Sequence, residues 1–365
     1  MSSLVPAADP RSVHVVVPGD VDDDAVPSGG NAYDRRVCAG LPASGWRVTE
    51  VAVTGAWPRP GTAARRSLAR VLADVPDGGV VLVDGLVACG VPEVVVPQAD
   101  RLALVVLVHL PLGDELGAAP GLAALEGETL RAAAAVVTTS PWAARRVVAV
   151  HGVTGGRVHV APPGVDPAPP ATGTDGASRL LCVGAVTATK GQDRLVEALA
   201  AVADLPWTCD LVGSLRRDPA YAATVARAVE RHGLGDRLRM TGPRTGARLA
   251  ADYAAADLVV LPSRRESYGM VLTEALARGV PVLATAVGGV PETVGRDREG
   301  RVPGLLVAPD DAAALASAVR RWWSEPDLRV GLRRAARARR PGLEGWEGTI
   351  RCLSSVLDRL RGTPG

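Results

Sequence analysis

Lys190 is the only lysine among 41 basic residues. It stands in VGAVTATKGQDR, residues 183 to 194, between two glycines and just ahead of a helical pattern. Two carboxylates, Glu266 and Glu274, lie eight residues apart in RRESYGMVLTEALARG, the first in a loop and the second on a helix. A carboxylate accepts hydrogen bonds from paired sugar hydroxyls, so two at this interval can hold a ribose and a hexose on either side of a pyrophosphate. Between them, Tyr268, Gly269 and Met270 carry backbone N–H groups at the start of a helix, where the helix dipole favours a phosphate. His109 ends the apolar run LALVVLVHLP at what reads as the carboxyl edge of a strand.

The elements that must position these residues are legible as an alternation of Val/Leu-rich runs with helical patterns, the signature of parallel βαβ units. Strands are expected at 13–17, 46–53, 80–84, 102–108, 135–139 and 157–161. The stretch 162–178, dense in Pro, Gly and Thr, reads as a linker. The pattern then restarts with LLCVG, CDLVG, RLRMTG, DLVVLP, PVLAT and GLLVAP, a second α/β domain. Residues 312 to 360 read as helices broken near Pro326 and Pro341. Two consecutive doubly wound domains create ligand sites at the carboxyl ends of their strands.

Composition narrows the function. A net charge of +2 on 365 residues lacks the basic footprint of a nucleic-acid partner. Cys38, Cys89, Cys182, Cys209 and Cys352 are odd in number and free of CxxC spacing, which predicts neither disulfides nor a zinc site and suits the cytoplasm. The longest apolar stretch, 102–110, is too short for a membrane span. The basic helix at 62–73 reads as an ordinary surface helix rather than a membrane-docking one, and DVDDD at 20–24 as a solvated acidic loop. His14, His151, His159 and His232 have no placement at a strand's carboxyl edge. PSGGNAY at 27–33 lacks the GxGxxG spacing of a dinucleotide site.

The run ADLVVLPSRRESYGMVLTEALARGVPVLATAVGGVPE, 256–292, resembles the signature of family 4 glycosyltransferases, including their E-x7-E motif at Glu266 and Glu274. LLCVGAVTATKGQDRLVEAL, VTTSPWAARRV, APPGVD and PSGGNAYDRRV extend the resemblance over most of the chain. It implies an α/β GT-B fold of two Rossmann-like doubly wound domains facing each other across a cleft. Residues 1–168 would bind the acceptor and 169–340 the donor, with a helix in 341–365 able to pack back on the first domain. The implied reaction moves a hexose-type sugar, with retention, from a UDP or GDP sugar to an acceptor, small molecule or lipid, whose identity the sequence leaves open. By the same resemblance Lys190 and Gly184 handle the donor phosphates, Glu274 binds the ribose, Glu266 contacts the transferred sugar, and His109 touches that sugar. Gly29 and Gly30 belong to a phosphate-facing loop. Glu266, Lys190 and His109 are the catalytic candidates; no metal and no cofactor beyond the donor substrate is implied. No second carboxylate is identifiable as a nucleophile, so the donor phosphate itself would take the acceptor's proton.

One position departs from the pattern. Family members usually carry an arginine just after the strand glycine, paired with the lysine, where this chain has Ala185. A lost charge-assisted hydrogen bond to phosphate is worth about 1.5 to 3 kcal/mol, which Arg216, Arg264 or Arg265 would have to supply. The departure keeps a non-catalytic sugar-nucleotide-binding protein open as an alternative. A GT-B phosphorylase or sugar-nucleotide epimerase is a second alternative, although either should lack the E-x7-E turn.

Overall fold

The structure, a computed structural model, describes residues 11–361. By contact the described residues form two units: 11–22, 30–163 and 346–361 make the first, and 23–29 with 164–345 the second.

The first unit carries β1 (Ser12–Pro18), α1 (Gly29–Gly40), β2 (Arg47–Val53), α2 (Thr62–Ala73), β3 (Val80–Asp84), α3 (Gly85–Ala88), α4 (Pro92–Val95), β4 (Ala103–Val108), α5 (Leu122–Ala132), β5 (Ala135–Thr138), α6 (Pro141–His151) and β6 (Val158–Val160). Its six strands are all parallel, in the order β2-β1-β3-β4-β5-β6. Strand alternation sends Val81 and Val83 into one apolar layer and Val80 and Leu82 into the other, as a sheet covered on both faces requires. Local chemistry sets the helix ends. Ser140 Oγ accepts from Ala143 N at 3.1 Å, Pro141 fills the first helical position, and Gly152 closes α6 in the left-handed region. The basic helix α2 buries Ala64, Leu68 and Leu72 and pairs Arg65 with Glu93, so it is a surface helix of this unit.

The second unit carries β7 (Arg179–Val183), α7 (Gln192–Ala200), β8 (Thr208–Val212), α8 (Pro219–Arg231), β9 (Leu238–Gly242), α9 (Gly246–Ala255), β10 (Leu258–Leu261), α10 (Met270–Ala277), β11 (Val282–Thr285), α11 (Val290–Val294), β12 (Gly304–Val307), α12 (Ala312–Ser324) and α13 (Pro326–Arg339). Its strands are also parallel, ordered β12-β11-β10-β7-β8-β9. Leu258 and Val260 face one core layer, Val259 and Leu261 the other. The last helix, α14 (Trp346–Arg361), belongs to the first unit, where Ile350, Leu353, Val356 and Leu357 at helical spacing join the layer under β1 and β3.

In each sheet the strand order reverses once: between β1 and β3 in the first unit, and between β7 and β10 in the second. Chains leaving neighbouring strands there diverge to opposite faces and open a crevice at the carboxyl edge. Among the described residues no helix is long and apolar enough to cross a membrane, and all five cysteines are unpaired thiols.

Candidate functional site

At the reversal of the second sheet, the loops leaving β7 and β10 bring Lys190 and Glu266 together. Lys190 Nζ lies 2.6 Å from Glu266 Oε2, with the lysine side chain 29% exposed and the glutamate 11%. Backbone contacts lock the two loops to each other: Arg264 N donates to Thr189 O at 2.8 Å. Gly191, at φ +69°, approaches so closely that a Cβ there would stand 2.3 Å from Pro262 O. Ser263, fully buried, adds its hydroxyl 3.4 Å from Glu266 Oε2.

The GGVPE stretch holds the Glu266 loop from the other side. Gly289 N donates to Glu266 O at 3.1 Å. Gly288, at φ +53°, has no room for a side chain, because its Cβ would lie 1.8 Å from the same oxygen. Beyond Glu266 the chain passes through Gly269 at φ +88°, the N-cap of α10, and no side chain caps the helix. The Leu272 amide turns back on the Gly269 carbonyl at 2.9 Å, and no side chain meets the start of the helix, whose dipole favours an anion.

Glu274, on the second turn of α10, accepts a 2.6 Å hydrogen bond at Oε2 from the hydroxyl of Tyr253, which is 1% exposed. Arg278 donates to Glu274 O at 2.8 Å and stacks 4.8 Å from the centre of the Tyr253 ring. Burial raises the Glu274 carboxyl above its ordinary value, against the opposing pulls of Tyr253 and Arg278. The two glutamates thus differ: Glu266 is neutralised by a lysine, whereas Glu274 is held by a phenol.

The three arginines read as replacements for the missing one separate in the structure. Arg264 grips Asp193 in a bidentate pair, 2.8 Å on each side, and reaches Asp310 at 2.5 Å, so its guanidinium is committed to the protein. Arg265 and Arg216 are exposed, and Arg265 donates to the Arg264 carbonyl at 2.9 Å. Ala185 keeps its backbone carbonyl occupied by Gln192 Nε2 at 3.0 Å.

In the first unit a second cluster forms at the β1/β3 reversal. His109 follows β4, Asp84 ends β3, and Asp34 sits on α1. His109 Nε2 is 3.0 Å from Asp34 Oδ1 and 3.5 Å from Asp84 Oδ2, with both carboxylates at most 4% exposed and the imidazole 20%. Asp84 also caps α3, accepting from Leu86 N at 2.5 Å. Gly30 lies under the imidazole: a Cβ there would stand 3.1 Å from His109 Cδ2. Gly29, its neighbour, is exposed and begins α1. Tyr33 meets the His109 ring edge-on at 5.2 Å.

Burial opposes the charged imidazole, but the carboxylates of Asp34 and Asp84 outweigh it and lift His109 to about 10. Asp34 is raised to about 7, by burial first and then by the Asp84 charge, while His109 pulls the other way. Asp84 is lowered: burial works against it, and the hydrogen bonds from His109, Asp34 and Leu86 prevail. One ligand atom from each of these three lies within 4.8 Å of the other two. The imidazolium supplies the positive charge that a cation would bring there.

Asp34, Asp84 and Tyr253 carry no motif, and the sequence reading passes over them. The only signal was position: Asp34 falls one helical turn after Gly30, but its partner comes from a strand end 75 residues later.

The model of the family "Glycosyl transferases group 1" matches residues 170–339, and that of "Glycosyltransferase Family 4" residues 13–169. A D-inositol 3-phosphate glycosyltransferase of Catenulispora acidiphila is 34% identical over 300 residues, spanning 75% of this chain and 69% of that protein. Among solved structures, sucrose-phosphate synthase of Thermosynechococcus elongatus superposes with a TM-score of 0.76 at 24% identity, covering 96% of this chain and 99% of its own. Anabaena HepE in complex with UDP-glucose gives 0.75 at 18% identity, covering 95% and 99%. Both likenesses are of fold. The chain belongs to glycosyltransferase family 4 and is a glycosyltransferase of GT-B architecture.

Proposed function

We propose that the protein transfers a hexose-type sugar, with retention of anomeric configuration, from a UDP sugar to a hydroxyl of a small phosphorylated polyol of the inositol phosphate class. The observation that carries the donor half is the Lys190–Glu266 pair beside the uncapped start of α10. A lysine is a compact mobile cation, suited to following a pyrophosphate whose charge shifts as the sugar leaves. On donor binding Lys190 turns from Glu266 to the phosphates, and the freed carboxylate accepts hydroxyls of the transferred sugar. Glu274, already oriented by Tyr253, accepts the ribose hydroxyls.

The choice of UDP is supported by the UDP-glucose held by HepE, and the acceptor class by the D-inositol 3-phosphate relatives. The chain supplies charge stabilisation and orientation: Lys190 and the α10 amides for the leaving phosphate, Glu266 and His109 for the sugar. No carboxylate is identifiable from the sequence as a nucleophile, so in this scheme the donor phosphate takes the acceptor proton on the face from which it departs. This scheme requires neither a metal nor a cofactor.

The test is a thermal-shift panel of UDP-glucose, UDP-N-acetylglucosamine and GDP-mannose, followed by turnover with inositol 3-phosphate and assignment of the product anomer by NMR. A ligand at a hundredfold its dissociation constant stabilises by ~2.7 kcal/mol. Stabilisation by UDP sugars and an α-linked product are expected. Stabilisation by GDP-mannose alone overturns the donor assignment, and a β-linked product overturns retention.

A further inference from the structure

Arg264 stands two residues before Glu266, yet its guanidinium turns to the other loop of the site. Nη1 donates to Ala188 O at 2.9 Å and to Asp193 Oδ1 at 2.8 Å, Nη2 to Asp193 Oδ2 at 2.8 Å, and Nε to Asp310 Oδ1 at 2.5 Å. Ala188 lies two residues before Lys190, and Asp193 three after it in the first turn of α7. One residue of the Glu266 loop therefore holds the Lys190 loop on both sides of the lysine. The far partners are themselves fixed. Tyr221, on α8, donates its hydroxyl to Asp193 Oδ1 and accepts from Asp193 N at 3.1 Å. Asp310 reaches Nε from a left-handed backbone at φ +56°, which few residues other than glycine adopt. The arginine side chain is 11% exposed, and its charge is balanced by these two carboxylates.

We propose that Arg264 and Asp193 are positioning residues of the donor site: their bidentate pair clamps the Lys190 loop to the Glu266 loop and sets the 2.6 Å meeting of Lys190 with Glu266. The proposal rests on the reading that Lys190 and Glu266 receive the donor. It adds the residues that hold those two in register, and it takes Arg264 out of contact with the phosphates. A fork on a carboxylate fixes direction as well as distance, which a single hydrogen bond does not.

The sign of one substitution separates a clamp from a charge. Asp193 is an acid three residues from the lysine, so by charge alone its loss strengthens the binding of a diphosphate. The gain is larger still if the freed Arg264 swings to the phosphates in place of the arginine absent at Ala185. As half of a clamp, the same acid is needed for binding, and its loss weakens it.

The experiment measures UDP affinity by calorimetry in the full-length protein and in Asp193→Asn, Arg264→Lys and Lys190→Ala, with the unfolding midpoint of each without ligand as the control. Asp193→Asn keeps the shape of the side chain and removes its charge, whereas Arg264→Lys keeps the charge and removes the fork. Both should lower UDP affinity by about three- to tenfold. Hydrogen exchange without ligand should quicken in residues 184–191 and 263–267 of both. A tighter or unchanged UDP affinity in Asp193→Asn overturns the proposal, and so does an unchanged affinity in Arg264→Lys, which decides alone should Asp193→Asn fail to fold. A lowered midpoint with the parent's affinity makes the pair a structural tie only and overturns it as well. If Lys190→Ala binds UDP as the parent does while the two loops quicken in Asp193→Asn, the nucleotide assignment falls and the clamp between the loops stands.

Discussion

The ammonium of Lys190 and the carboxylate of Glu266 meet at 2.6 Å although 76 residues separate them. Each comes from a loop at the carboxyl edge of one of the two strands between which the sheet order reverses. On the proposed function, replacing Lys190 by alanine removes the cation read as facing the donor phosphate, and it leaves Glu266, 11% exposed, without its counter-charge. UDP affinity measured by calorimetry should fall at least about tenfold. Lys190→Arg should not restore it, because a planar guanidinium is not a compact, mobile point charge.

Tyr253 and Glu274 predict a pH dependence confined to the nucleoside. The Glu274 carboxyl is raised, so as pH falls it becomes protonated before an ordinary glutamate does and, on the proposed function, stops accepting ribose hydroxyls. UDP affinity should decline on the acid side while inorganic pyrophosphate affinity does not follow it. Tyr253→Phe removes one hydrogen bond to the carboxylate, costs about 1 kcal/mol of stability, and should move the acid limb of the UDP affinity profile toward neutral pH.

The buried cluster of the first unit predicts the slope of stability with pH. His109 stands at about 10 in the folded chain against 6.5 for the free side chain, so its contribution is complete below 6.5 and is lost as pH rises toward 10. Asp34, at about 7 against 3.8, has the same sign, because the folded chain again binds the proton more tightly than the unfolded one. Asp84, lowered, acts only on the acid side, where stability is lost as pH falls below 3.8. Differential scanning calorimetry should therefore show the unfolding midpoint descending from about pH 5 to about pH 9. The Asp34→Asn, His109→Gln double variant should flatten that descent.

Gly288 carries no chemistry, yet it fixes where the chemistry is. A methyl group at φ +53° and 1.8 Å from Glu266 O must push the Glu266 loop away. Gly288→Ala should cost about 1 to 3 kcal/mol in thermal unfolding and should weaken UDP binding without altering any ligand-contacting side chain.

Much of this architecture was written in local sequence. The run VVLVD and the observed β3 coincide, and the DLVVLP run contains β10, because fully buried parallel strands leave uninterrupted Val/Leu segments. The helix breaks near Pro326 and Pro341 fall where α13 begins and where the short turn before α14 lies. The family signature located Glu266 and Glu274. What no local pattern could show was partnership across the fold. Arg264, adjacent in sequence to Arg265, is bound to Asp193 and Asp310, while Arg265 stays exposed. Tyr253 looks like any helix aromatic until α10 places Glu274 against its hydroxyl. Asp34 becomes chemical only through His109 and Asp84, each delivered by a different strand.

The central claim, that the β7/β10 reversal is the nucleotide-sugar site, is tested most directly by hydrogen exchange with and without UDP. The account predicts protection in the second unit concentrated in residues 184–191 and 263–274, including the amides that open α10. Saturating UDP binding that leaves those two segments exchanging at their unliganded rates would contradict it.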